Sequence, residues 1–334
     1  MKLELLDCPK YKTYTIKCTF LCVSILLLTV VPLNGRTVEL ILHPAKAPES
    51  IEKYSLLLKT EQLRDANAVP LYEKAIQSLP EDYDIEQIDQ WLKTPLDKLP
   101  HQQVQSTLQR FKTTMQLLEQ ATKCKQCDWP YVEEDELDSL SKNLSKYRRF
   151  TFILELQARL QIAQRQYNQA LSTIQTGFAM AQHLGDSPNL LQGMIGLSIS
   201  ARMLRPLEQF IQGPDAPNLY WALQGLQRPF IDLTERLVLE SPEIREKMHL
   251  QMNRLDRHMT ALQCIEAIRL YADTHKGELP TQLKEIIEVA VPNDPVMDKP
   301  FEYTLEGSKA VLKAVPPEGR PERYSIHYEL TVQK

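Results

Sequence analysis

The stretch Leu154-Glu-Leu-Gln-Ala-Arg-Leu-Gln-Ile-Ala-Gln-Arg-Gln-Tyr-Asn-Gln-Ala170, running on through Ile174, Phe178 and Ala181 to Gly185-Asp-Ser-Pro188, carries the densest pattern in the chain. Leu154, Ala158, Leu160 and Ala163 recur at helical spacing. Gln164-Arg-Gln166 interrupts them, and Ala170, Ile174, Phe178 and Ala181 resume the pattern. Small and aromatic residues at these offsets predict two antiparallel helices packed closely across a short turn. Such a pair cannot bury its own apolar face, so neighbouring helices have to stack on it.

Helical periodicity spreads outward from this pair, from Ser50 to about Glu240, broken by proline, Gly-Asp and asparagine clusters. Pro70 to Leu79 reads as a short helix with proline in its first turn. Val104, Leu108, Phe111, Met115 and Leu118 form one stripe over 104–121. The acidic run Glu133 to Asp138 leads into a long helix starting near Leu137. It lacks the glycine and alternating ligands of a calcium loop, and negative charge suits a helix start. Leu190 to Ile211 is nearly uncharged, but Gln192, Arg202, Arg205 and Pro206 interrupt it, which favours a central buried helix over a membrane span. In Pro217-Asn-Leu-Tyr-Trp-Ala-Leu223, Asn218, Tyr220 and Trp221 are candidate partner-binding residues. The competing reading has the aromatic pair filling the gap between stacked helices.

The last eighty residues change character. Leu255, Met259, Leu262, Ile265, Ile268 and Tyr271 make a helical stripe that Gly277 closes. Thr281 to Val289 reads as a short helix. Alternation then predicts strands over Phe301–Leu305, Ala310–Val315 and Ser325–Val332, a small antiparallel sheet.

At the other end, four lysines at positions 2, 10, 12 and 17 precede an uncharged run from Cys18 to Gly35. That arrangement predicts an export segment over 1–36, with a transmembrane anchor through residues 18–35 and a cleaved signal both open. The bulk of the chain is then exported, held at the inner membrane or free in the periplasm. Cys124 and Cys127 form a C-x-x-C pair, read first as structural thiols or a small disulfide at a helix end, with redox or metal roles behind.

Composition excludes more than it assigns. Ten glycines in 334 residues argue against dinucleotide-binding sheets, phosphate loops and hairpin barrels, and a net charge of −4 gives nucleic acid no foothold. No nucleophile elbow, zinc-protease helix, phosphate loop or dinucleotide fingerprint is present. Glu246-Lys-Met-His249 stands alone, whereas a di-iron bundle needs two such pairs. His249 and His258 read as surface residues, and His183 as a cation in the last turn of its helix. No metal or cofactor is expected, and no catalytic residue emerges, although scattered residues can still assemble an enzyme.

Three resemblances sharpen this picture. The central pair, with Tyr167, Ala170 and Pro188, resembles one tetratricopeptide unit that lacks the glycine before the tyrosine. The helix, Leu-Pro turn, Asp-Pro loop and hairpin over 255–315 resemble the soluble part of type II secretion pseudopilins, without their processing site. Across about 40–315, strings including Asn67-Ala-Val-Pro-Leu-Tyr72, Cys127-Asp-Trp129, Gln175-Thr-Gly177 and Pro217 to Leu223 resemble a family of exported proteins common in planctomycete bacteria. That resemblance implies export and a helical array, and it implies no activity. The expectation is a mainly α fold: an irregular tetratricopeptide-like array over 37–245, with a small α+β module over 246–334. The expected role is a protein-interaction scaffold of the cell envelope, contacting a protein or peptide. An envelope hydrolase with its site between array and module is the alternative.

Overall fold

The computed structural model describes residues 37–50, 52–131 and 137–333. The fold is mainly α, with a small sheet at one end. Its centre is three helices, α5 (Leu137–Ala163), α6 (Tyr167–Gly185) and α7 (Leu190–Ile211). They pack on one another in the order the opening pattern predicts. A Cβ on Gly196 of α7 would stand 2.5 Å from the Ala181 carbonyl and 2.8 Å from the Gly185 nitrogen. The α6 and α7 backbones therefore touch there, and only glycine fits. α7 is buried over most of its surface from Leu191 to Ile211, while Arg202, Arg205, Glu208 and Gln209 are half-buried along one face, so the expected burial all round holds only in part.

Before this trio come α1 (Val69–Gln77), α2 (Ile85–Lys93), α3 (His101–Gln109) and α4 (Lys112–Thr122). The stripe over 104–121 is two helices rather than one. The break at Arg110–Phe111 turns the Phe111 ring fully into the core, edge-on to Tyr83 at 5.1 Å. After α7, a short α8 (Tyr220–Gln224) leads to α9 (Pro242–Thr274), whose Ser241 cap accepts from the Ile244 nitrogen. α9 is much longer than its apolar stripe. From Arg254 to Leu270 it is buried all round, charged residues included. The helix expected over 281–289 is only a single 3-10 turn, Leu283–Glu285. Side chains capture its backbone donors: Glu285 accepts from the Thr281 nitrogen at 2.8 Å, and Glu288 from the Ile287 nitrogen at 3.0 Å.

Four strands form the sheet. β6 (Glu302–Glu306), β7 (Lys309–Ala314) and β8 (Ile326–Val332) pair antiparallel, and Leu312, Ala314, Ile326 and Tyr328 turn inward. The fourth strand comes from the other end of the chain. β1 (Thr37–Leu42) lies parallel to β8, in register from Thr37 opposite His327 to Leu42 opposite Val332, with Leu40 and Leu42 buried. Two small ladders complete the topology: β2 (Arg64–Asn67) with β3 (Cys124–Gln126), and β4 (Asn293–Asp294) with β5 (Lys299–Pro300).

Three expectations change. The boundary at 245/246 does not separate two bodies, because residues 37–42 belong to the C-terminal sheet and one apolar core runs from Leu40 to Leu330. The transmembrane helix is not upheld: among the described residues no helix is long and apolar enough to cross a membrane. Residues 18–35, where the sequence places that helix, lie outside the described residues. His258 is not a surface residue, being 4% exposed inside α9.

Candidate functional site

α5 ends in a left-handed turn. The Gln166 nitrogen reaches back to the Gln161 carbonyl at 2.8 Å, which places Arg165 at φ 55°, a position usually held by glycine. Facing it, Asp215 in the loop after α7 stands at φ 63°. The Arg165 guanidinium and the Asp215 carboxylate meet at 3.6 Å, both largely in solvent. Beside them the Tyr167 hydroxyl donates to the Pro214 carbonyl at 2.7 Å, and its ring packs edge-on against Phe210. Two irregular turns are thus latched together by an aromatic peg and capped by an exposed ion pair.

Two clefts open on either side of this latch, and Arg165 and Tyr167 line both. The first, about 570 Å³, runs between Leu96–His101 and the ends of α5 and α7, with Ile162, Gln209 and Gln212 in its walls. The second, about 690 Å³, lies between the strap Pro44–Tyr54 and the loop Asp215–Asn218. It mixes Lys46, Lys53 and Arg165 with Glu49, Asp215 and Asp273. His43 lies close enough to feel Arg269, Asp215 and Arg165. Burial first, and the Arg269 charge next, hold its imidazole below the ordinary value, so it is a neutral group at pH 7.

A buried knot holds the walls of the second cleft. Arg269 on α9 pairs with Glu266, then donates from Nε to the His43 carbonyl at 3.0 Å and from Nη2 to the Ala216 carbonyl at 2.9 Å. The Ala45 nitrogen returns to the Arg269 carbonyl at 3.2 Å. Strap and loop are therefore fastened to α9 through one guanidinium. The exposed parts of the cleft ride on a rigid base.

The sequence candidates sit in this base rather than on the surface. Asn218 is 1% exposed: its amide nitrogen donates to the Glu266 carbonyl at 2.9 Å, and its oxygen accepts from the Tyr220 nitrogen at 2.9 Å. Tyr220, equally buried, donates its hydroxyl to the Ala290 carbonyl and packs edge-on against half-buried Trp221. Asn218 and Tyr220, each 1% exposed, thus act as an internal clasp under the second cleft rather than as an exposed notch, and Trp221 stays half-buried.

Cys124 and Cys127 are free thiols, the structural-thiol reading rather than the small disulfide left open beside it. The strand β3 extends the backbone between them, and three extended residues span about 10 Å against the ~7 Å that a disulfide tolerates. His183 is likewise not a cationic cap. The Tyr72 hydroxyl is hydrogen-bonded to its Nδ1 at 2.8 Å and burial lowers its pKa to about 4, so it is neutral. Trp129 stacks on Tyr72 at 5.7 Å and donates to the His183 carbonyl at 2.6 Å, bringing two of the strings quoted from the sequence together as packing. Among the described residues no group of histidines, cysteines or carboxylates is placed to hold a metal.

Arg165 and Asp215 went unmarked in the sequence. The local signal was there: the turn-forming cluster Gly213-Pro-Asp-Ala-Pro217, and a helix break at Gln164-Arg-Gln166 with no glycine in it. The chain matches no family model, no curated protein and no solved structure.

Proposed function

We propose that the protein is an exported interaction scaffold of the cell envelope, and that the latch between the two clefts is where a protein partner docks. The observation that carries this reading is the paired opening itself. Two adjoining clefts of about 570 and 690 Å³ share Arg165 and Tyr167, and their charged groups stand at the rim in solvent. A catalytic site instead gathers perturbed titratable groups into one protected pocket. Here the histidines with lowered pKa are dispersed, His43 beside the strap, His183 under Tyr72, and His258 against Tyr328. The helical centre is read as a degenerate tetratricopeptide-like array in which α5 and α6 form the one recognisable pair. Its irregular α5–α6 turn, rather than a concave repeat face, then offers the docking groove. Export follows from the lysine-flanked apolar run near the amino terminus and from the likeness to exported planctomycete proteins.

The test is photo-crosslinking in the native envelope from two positions. A crosslinker at exposed Asn168 on the rim of the second cleft is expected to trap one defined protein. The same group at Leu239, 83% exposed on another surface, is expected to trap none. Equal product from both positions, or none from Asn168, overturns the reading.

A further inference from the structure

One helical turn back from the first cleft, along α5 and α7, the groove between these helices is crowded with arginines. Arg159, Arg202 and Arg205 surround one carboxylate, Glu155, which is 1% exposed, and the exposed Arg148 lies beside Arg202. Arg202 contacts Glu155, and Arg159 gives its terminal nitrogens to the Leu92 and Thr94 carbonyls at the end of α2. The Nε of Arg159 stays buried without a hydrogen-bond partner among the described residues. Arg202 and Arg148 both rest on the half-buried Phe152 ring, at 4.2 and 5.5 Å from its centre. Arg205 is half-buried and makes no hydrogen bond or ion pair among the described residues.

Among the described residues, three guanidiniums against one carboxylate leave a local surplus of two positive charges, with Arg148 beside them, on a chain whose net charge is −4. Burying Arg159 and half-burying Arg202 and Arg205 with one carboxylate among the described residues is costly, so the surplus favours an added anion. Phe152 holds two of the guanidiniums in place, which reduces the ordering they must undergo on binding. Gln209, one turn beyond Arg205, lines the first cleft, so the arginines adjoin that cleft along α7.

We propose that this groove binds the carboxylates of an acidic segment of the partner, whose chain continues into the first cleft. Arginine's planar fork suits a carboxylate, and a singly charged carboxylate meets less repulsion from Glu155 than a doubly charged phosphate does. The assignment rests on the scaffold reading and adds the partner's chemistry to it.

Fluorescence anisotropy with a labelled Glu-Glu-Asp-Glu-Glu-Asp peptide and the full chain tests this. The Arg148→Gln/Arg205→Gln double variant leaves the Glu155–Arg202 contact intact, and an unchanged thermal midpoint confirms that it folds. Removing two anchoring charges is expected to weaken peptide binding about tenfold or more. The matching Gln/Asn peptide is expected not to bind. Unchanged affinity in the double variant, equal binding of the neutral peptide, or displacement of the acidic peptide by an equal concentration of inorganic phosphate overturns the proposal. Crosslinking from Asn168 separates the two readings. Undiminished partner capture by the double variant removes the acidic-segment assignment and leaves the scaffold standing, whereas no capture by the native protein removes the scaffold.

Discussion

Arg269 and Glu266, one turn apart on α9, face each other so that Nη1 lies 2.9 Å from both carboxylate oxygens, and neither side chain has any exposed surface. The pair is less a source of stability than a fastening. Well-packed apolar replacements of a buried pair are often neutral, whereas removing one partner strands the other. Arg269→Met is therefore expected to cost about 3–5 kcal/mol in urea unfolding, because Glu266 and the His43 and Ala216 carbonyls all lose their donor. A loss under about 1 kcal/mol would show that the strap is held by other means.

Acid should loosen the fold through two histidines. His183 and His258 titrate near the ordinary 6.5 when unfolded, but at about 4 and about 3 in the folded chain. Burial is the main cause for both, and the Arg254 and Arg257 charges add to it for His258. Between pH 6.5 and about 4 the unfolded chain binds more protons. Stability is thus full above pH 6.5 and falls as pH falls, by about 1.4 kcal/mol per pH unit for each histidine. Denaturant titrations across this window should show a shallower slope in His183→Gln than in the native protein. Identical slopes would sink the assignment of His183 as buried and neutral.

The contact between the α6 and α7 backbones predicts a contrast between two glycines. Gly196→Ala drives a methyl into the Ala181 carbonyl and is expected to cost about 1–3 kcal/mol or more. Gly307→Ala, in the β6–β7 turn at φ 61° with nothing within 4 Å, should cost only about 1 kcal/mol, from backbone conformation alone. Equal losses would mean that the two helices can separate to admit the methyl.

Thiol chemistry should be quiet in the native state. Cys124 and Cys264 are buried, and burial pushes the Cys264 thiol up to about 12 and raises that of Cys127 as well. Alkylation at pH 8 followed by peptide mapping should label Cys124 and Cys264 only after denaturation, and dithiothreitol should leave the unfolding midpoint unchanged. A linked Cys124–Cys127 peptide would contradict the extended β3 geometry.

Much of the helical centre can be read from local pattern, because α5, α6 and α7 carry periodicity strong enough to survive any tertiary context. The hairpin β6–β7 is legible for the same reason: alternation and a glycine turn are short-range signals. The pairing of β1 with β8 is not, since Thr37 and His327 lie 290 positions apart and no local rule couples them. Nor does periodicity reveal α9. Its charged residues look like a solvent face until Asp294 is found bonded to Arg257, and Glu266 to Arg269, inside the core. Tyr220 misled for the opposite reason. An aromatic at a helix start looks available, yet its hydroxyl ends on the Ala290 carbonyl, 70 residues on. The clefts depend on Arg165 and Asp215 adopting left-handed backbone, which residue type alone does not announce.

The first of the described strands waits for the last. β1 leaves the ribosome nearly three hundred residues ahead of β8, and until residue 332 exists Leu40 and Leu42 have no neighbouring strand to lie against. A chain that stops short of β8 can assemble its helices, yet Leu40 and Leu42 of β1 lack the strand that lies beside them in the finished sheet. Closure of the sheet therefore waits for synthesis through residue 332, and a chain cut before β8 leaves this edge of β1 unpaired.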